Sequence, residues 1–110
     1  MDFKNQTELF NYLWEIKPHV SEISGEPLHP KGHWQWHHQF SHTCPKGLYR
    51  RIKLSPENIV LMTKSEHDFW EHWTEKHKTM SMYLQHADKW DALLEKYEQL
   101  KIQYHNTPLK

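Results

Sequence analysis

From Glu66 to Thr107 the chain contains neither glycine nor proline. Ser65 is a good helix N-cap, and Asp68, three residues on, gives a variant of the capping box. No residue in this run breaks a helix before Pro108, so residues 66 to about 104 are expected to be largely helical, with a bend near Thr79-Met80-Ser81. Toward its end Trp90, Leu93, Leu94, Tyr97, Leu100 and Ile102 form one apolar stripe with charged flanks. Such a stripe packs against the chain's own core, or it forms the seam of a homodimer through the C-terminal helix.

The chain before this run is organised differently. Asn5 to Ile16 reads as a helix: Asn5 caps it, Glu8 follows three residues later, and Leu9, Phe10, Leu13, Trp14 and Ile16 make a broad apolar face that Pro18 ends. Ser21 to Gly32 is turn-rich. From His33 to Thr43, Trp34, Trp36, His38, Phe40 and His42 alternate with the period of two, which predicts an extended strand. Pro45-Lys46-Gly47 turns the chain. Tyr49 to Leu54 is polar and basic, and Ile59-Val60-Leu61-Met62 reads as a second strand pairing with the first across a long loop. The order helix, strand, loop, strand, long helices predicts an α+β fold in one domain, since 110 residues are too few for two independent cores. No internal repeat is present.

Cys44 is the only cysteine, which excludes an intrachain disulfide and an all-cysteine zinc site. A metal would therefore have to use His, Asp, Glu or Asn, and there are eleven histidines. Formal net charge is zero, but the charges are unevenly placed. Between Pro27 and Pro56 there is no Asp or Glu, while Lys31, Lys46, Arg50, Arg51 and Lys53 lie there with five histidines. From Glu66 to Glu98 eight acids face four lysines. A basic middle beside an acidic helical tail can present a phosphate-attracting surface on one side of the molecule. No apolar run approaches the roughly 20 residues that span a bilayer. The opening Met1-Asp-Phe-Lys-Asn lacks the features of a signal peptide, so no membrane association and a cytoplasmic location are expected.

The polar residues fall where a metal-dependent phosphodiesterase would need them. His42 ends the first strand, Asn58 opens the second sixteen residues later, and His67 lies nine residues beyond, at the start of a helix. His67 and Glu71 are four apart, on one helical face, and can address one ion. Phosphodiester hydrolysis needs a base for water, positive charge near the phosphorane and stabilisation of the leaving oxygen. A neutral imidazole suits the first task. A divalent cation serves the other two, and Lys46, Arg50, Arg51 and Lys53 could hold flanking phosphates.

The stretch Phe40-Ser-His-Thr-Cys-Pro-Lys-Gly, followed by Pro56-Glu-Asn-Ile-Val-Leu-Met and Glu66-His67, resembles the HNH, or ββα-metal, endonuclease superfamily, and most closely its small phage-type members. Ser21 to Leu28 resembles the knuckle that leads into the first strand there. The likeness covers residues 20–72, with residues 1–19 as an N-terminal helix and 73–110 as a helical extension. It implies a ββα-metal hairpin-helix core and a metal-dependent endonuclease or nickase acting on DNA. His42 would be the general base, Asn58 either a ligand or the residue holding the base and its loop, and His67 a ligand. The ion would be Mg2+, with Mn2+, Ni2+ or Zn2+ as alternatives.

There are two departures from the pattern. Ser41 stands where many members place an Asp or His ligand; some members of the wider group manage with one asparagine ligand and waters, which would leave Asn58 sufficient, and otherwise His38 or Glu71 could complete the shell. Glu22 and Gly25 stand where zinc-bearing relatives have cysteines, so no structural zinc is expected, and packing by Trp34 and Trp36 would take its place. The pair His37-His38 offers a second register for the base, with His38 twenty residues before Asn58. Two other readings stand beside the nuclease: a degenerate ββα-metal module that binds DNA or a protein without cutting, and a helical interaction protein driven by residues 81–104. His19, His29, His33, His77, His86 and His105 read as structural or solvent-facing.

Overall fold

A computed structural model describes residues 2–106; Pro108, the expected helix stop, lies outside the described residues. The first helix, α1 (Gln6–Ile16), begins where its cap predicts, with the Asn5 side chain accepting the Glu8 N–H at 2.9 Å. Two short strands, β1 (Phe40–His42) and β2 (Ile59–Leu61), pair antiparallel in the register Phe40–Leu61, Ser41–Val60 and His42–Ile59. Helix α2 (Lys64–Glu71) follows at once, then a single α-helical turn, α3 (Ser81–Leu84), and the long α4 (Ala87–Asn106). The architecture is mixed helix and strand, compatible with α+β.

The two faces of this small sheet build separate cores. Phe40, Ile59 and Leu61 point to one side and pack with Trp36 against Leu9, Phe10 and Leu13 of α1. The Phe10 and Phe40 rings stack there at 4.2 Å. Val60 and Met62 belong to the other side, packed with Trp70 of α2 and with Trp90 and Leu93 of α4. Each large apolar side chain removed from water in this way contributes about 1.5–3 kcal/mol. A third cluster, Cys44, Tyr49 and Leu100, fastens the loop after β1 to the far end of α4.

Three sequence expectations change. The strand expected from His33 to Thr43 is extended only over Phe40–His42. β2 offers few partner residues before Thr63 turns into a helix cap, so a longer strand would leave its backbone unpaired. Residues 33–39 instead close local turns, with the N–H groups of Trp36, His38 and Gln39 donating to the carbonyls of His33, Gln35 and Trp36. Secondly, Thr63 rather than Ser65 caps α2. Its hydroxyl accepts the Glu66 N–H at 3.2 Å and the Glu66 carboxylate accepts the Thr63 N–H at 2.8 Å, the full capping box. Glu66 is buried and also accepts the Ser21 hydroxyl at 2.6 Å, tying the preceding turn to the helix.

Thirdly, the expected helix over residues 66 to about 104 is interrupted after Glu71 and resumes as α4 at Ala87. Thirty-nine residues of continuous helix would extend about 58 Å, longer than the greatest dimension of the molecule, 43 Å. Folding back lets Trp70, Trp73 and Trp90 share one core. The apolar stripe of α4 serves that core: Trp90, Leu93 and Leu100 are buried, and only Ile102 among the stripe residues is largely exposed. The knuckle residues are held by hydrogen bonds. Glu22 accepts the Leu61 N–H at 2.7 Å and pairs with Lys17 at 2.8 Å. Trp36 does pack in the core, but Trp34 is 67 % exposed and packs nothing there.

Candidate functional site

The strand end that carries His42 is fixed from three sides. The Thr43 N–H donates to the Asn58 backbone carbonyl at 2.7 Å, which extends the β1–β2 pairing by one residue. The Asn58 side chain then clamps the next residue: its oxygen accepts the Cys44 N–H at 2.7 Å and its NH2 donates to the Cys44 carbonyl at 3.0 Å. From the other side the Trp70 indole N–H of α2 donates to the His42 carbonyl at 3.3 Å. Asn58 is 0 % exposed, with both its polar atoms engaged by Cys44. It holds the loop, which is one of the two roles the resemblance allowed. A place for Asn58 among metal ligands is withdrawn, because no ion can reach a fully buried amide already bonded at both ends.

The His42 ring is half-buried, and its Nε2 lies 2.9 Å from the Lys53 carbonyl. A carbonyl can only accept, so Nε2 carries the proton and the lone pair of the neutral ring resides on Nδ1. Burial pushes the imidazole below its usual value of about 6.5, reinforced by the positive charge of Lys46, while the Lys53 carbonyl works in the opposite direction. His42 is thereby kept neutral, the form in which it can accept a proton.

His67 and Glu71 face the same cleft as His42, a depression of about 760 Å³. The His67 Nδ1 donates to the His38 carbonyl at 2.8 Å, which leaves Nε2 as the lone-pair nitrogen of the neutral ring, 3.6 Å from the Glu71 carboxylate. An imidazole oriented through its other N–H by a carbonyl is the arrangement found at metal-bound histidines. His67 and Glu71 are thus the residues that could hold a divalent cation, through one imidazole nitrogen and one carboxylate. Among the described residues no three His, Cys, Asp or Glu side chains converge on one point. The His38 carbonyl orients His67, and the His38 ring lines the same cleft. Ser41, 2 % exposed and paired with Val60 in the sheet, lines the cleft beside His42.

The basic residues divide. Lys46 lines the cleft and also a neighbouring groove of about 560 Å³, where Lys4, Arg50 and Lys53 join it without any carboxylate. Arg51 is engaged elsewhere. It donates to the Tyr104 carbonyl at 2.6 Å and its guanidinium lies over the Tyr104 ring at 4.1 Å. Arg51→Ala is expected to loosen the last turns of α4 at a cost of about 1 kcal/mol. Amide hydrogen exchange should quicken between residues 100 and 106.

Lys4 and Trp70 are absent from the candidate residues read off the sequence. Lys4 precedes α1 and reaches this groove only through the fold. Trp70 reads as core, and its indole N–H gives no sequence signal of its partner. Thr43 is a further case: it is 2 % exposed, lines the cleft beside His42, and its hydroxyl finds no hydrogen-bond partner. No family model, no curated protein and no solved structure matches this chain.

Proposed function

We propose that the chain is a metal-dependent endonuclease or nickase of the HNH, ββα-metal type, with β1, β2 and α2 as its ββα-metal core. The observation that carries this reading is the pair of oppositely oriented histidines in one cleft. His42 is held through Nε2 with a depressed proton affinity. His67 is held through Nδ1 with its Nε2 beside Glu71. One is suited to take a proton and the other to hold a cation, and DNA phosphates would be drawn in by Lys46.

In the proposed reaction His42 Nδ1 removes a proton from water, whose oxygen attacks phosphorus. The bond from phosphorus to the 3′-oxygen breaks, and that oxygen takes a proton from solvent. His67 and Glu71 would hold the cation, which when bound offsets charge on the phosphorane and on the departing oxygen. A donor pair of imidazole and carboxylate suits Mn2+ or Zn2+ better than Mg2+.

Nicking of supercoiled plasmid with Mg2+, Mn2+, Ni2+, Zn2+ or EDTA tests the reading. Wild type is expected to nick only with metal. His67→Ala should raise the metal concentration for half-maximal rate by on the order of 10–100-fold, and Glu71→Gln should raise it less. Folded protein that fails to nick with every one of these metals, yet binds DNA, would select the non-cutting module instead.

A further inference from the structure

Trp34 is out of place for a side chain of its size. An indole can bury 150–250 Å² of surface, yet this one is 67 % exposed although the sequence pattern puts it on a core face. It is nonetheless braced. Gln39, 1 % exposed and next to β1, accepts the His29 N–H at 2.7 Å and donates to the His29 carbonyl at 3.1 Å. The His29 ring stacks on His33 with centroids 3.9 Å apart and planes 6° from parallel. His33 in turn accepts the Gln35 N–H at 3.1 Å, and its ring lies 6.0 Å from Trp34 at 25°. Trp34 meets His38 edge-on at 6.3 Å. A ladder of rings anchored on a buried amide thus ends in an exposed indole that touches the residue whose carbonyl orients His67.

His38 lines the cleft that Trp34 adjoins, and a basic groove borders that cleft. Gln6, Lys46 and Gly47 line both the cleft and the groove that holds Lys4, Arg50 and Lys53, so the two depressions adjoin. Glu75 and Glu98 line the cleft as well. Their charge disfavours a phosphate chain on that wall and favours a path along Lys46.

We propose that Trp34 is a nucleobase-stacking platform and that the Lys4–Arg50–Lys53 groove holds phosphates of the same strand. The preferred ligand is then a nucleic acid with an unpaired nucleotide beside the His42–His67 cleft. A base inside a duplex has both faces covered by its neighbours, so an indole can stack only on one that is unpaired. This inference rests on the reading of the cleft as a nucleic-acid site, but not on cleavage.

Fluorescence anisotropy in EDTA tests it, with a labelled single strand, a blunt duplex and a duplex bearing a single-stranded tail. Wild type is expected to bind the single strand and the tailed duplex more tightly than the blunt one. Trp34→Ala should weaken the two unpaired probes about tenfold, the loss of one stacked base, and leave the blunt duplex unchanged. Trp34→Phe should retain most of the affinity. Lys4→Gln with Arg50→Gln should weaken all three probes and flatten the salt dependence by about two counterions. Equal losses on all probes, no loss on Trp34→Ala, or no binding of any probe by wild type would overturn the proposal. Trp34-dependent binding without metal-dependent nicking would refute the nuclease and leave the platform standing. Nicking that is indifferent to Trp34 and to unpaired bases would do the reverse.

Discussion

His42→Ala is expected to lower metal-dependent nicking by two to four orders of magnitude, the range for loss of a positioned general base. The fold should survive, because the ring is half-buried and its hydrogen bond is to the Lys53 carbonyl on a surface loop. Circular dichroism and thermal unfolding of the variant beside wild type separate loss of chemistry from loss of structure. The pH profile supplies a second check. Burial and the charge of Lys46 depress the His42 proton affinity. The neutral base therefore persists below pH 6.5, and the acid limb of the rate profile should lie below the usual imidazole value of about 6.5. The same shift has a stability consequence of fixed sign. The unfolded chain binds the proton more readily than the folded one, so the contribution of His42 is complete above about pH 6.5 and is lost as pH falls through the lower folded value. A variant that keeps full activity would move the role of base to His37 or His38, which line the same cleft.

Asn58→Ala should cost about 2–4 kcal/mol of stability. Truncation removes the donor and the acceptor that serve both backbone polar groups of Cys44, in a position with no access to water. Unsatisfied groups are the expensive outcome, since each loses its partner without regaining solvent. For a domain of this size the midpoint of thermal unfolding should fall by at least about 8 °C, and nicking should fall with it as the strand end carrying His42 loosens. Asn58→Asp distinguishes a clamp from a metal ligand. It retains an acceptor for the Cys44 N–H but sets a carboxylate oxygen against the Cys44 carbonyl. As a clamp it should be strongly destabilised at neutral pH and regain stability as acid protonates the carboxyl. Metal-binding gained at neutral pH, with stability intact, would return Asn58 to the ligand set.

The contrast between Asn5 and Ser65 shows how far local reading of the chain extends. At Asn5 a single cap precedes a single apolar face, and the helix begins there. Near Ser65 two hydroxyl residues compete, and Thr63 prevails because Glu66 stands three residues after it and is buried against Ser21, forty-five residues away. The alternation from Trp34 to His42 matched a strand for a similar reason. Apolar residues two apart arise from an extended chain or from successive turns, and the length of β2 determines which.

Local chemistry in the chain thus specified α1 and its cap, the apolar run that becomes β2, the stripe of α4, and the order in which His42, Asn58 and His67 occur. Each depends on neighbours within a few residues. The fold assigned the roles: Asn58 clamps Cys44 fourteen residues away, Arg51 is drawn to Tyr104 fifty-three residues away, and His67 is oriented by His38 across twenty-nine. It also left Trp34 outside and carried Lys4 to the basic groove. Hydrogen bonds and burial act through space, and their partners at these separations are chosen by the packing of the sheet between α1, α2 and α4, which no window of consecutive residues contains.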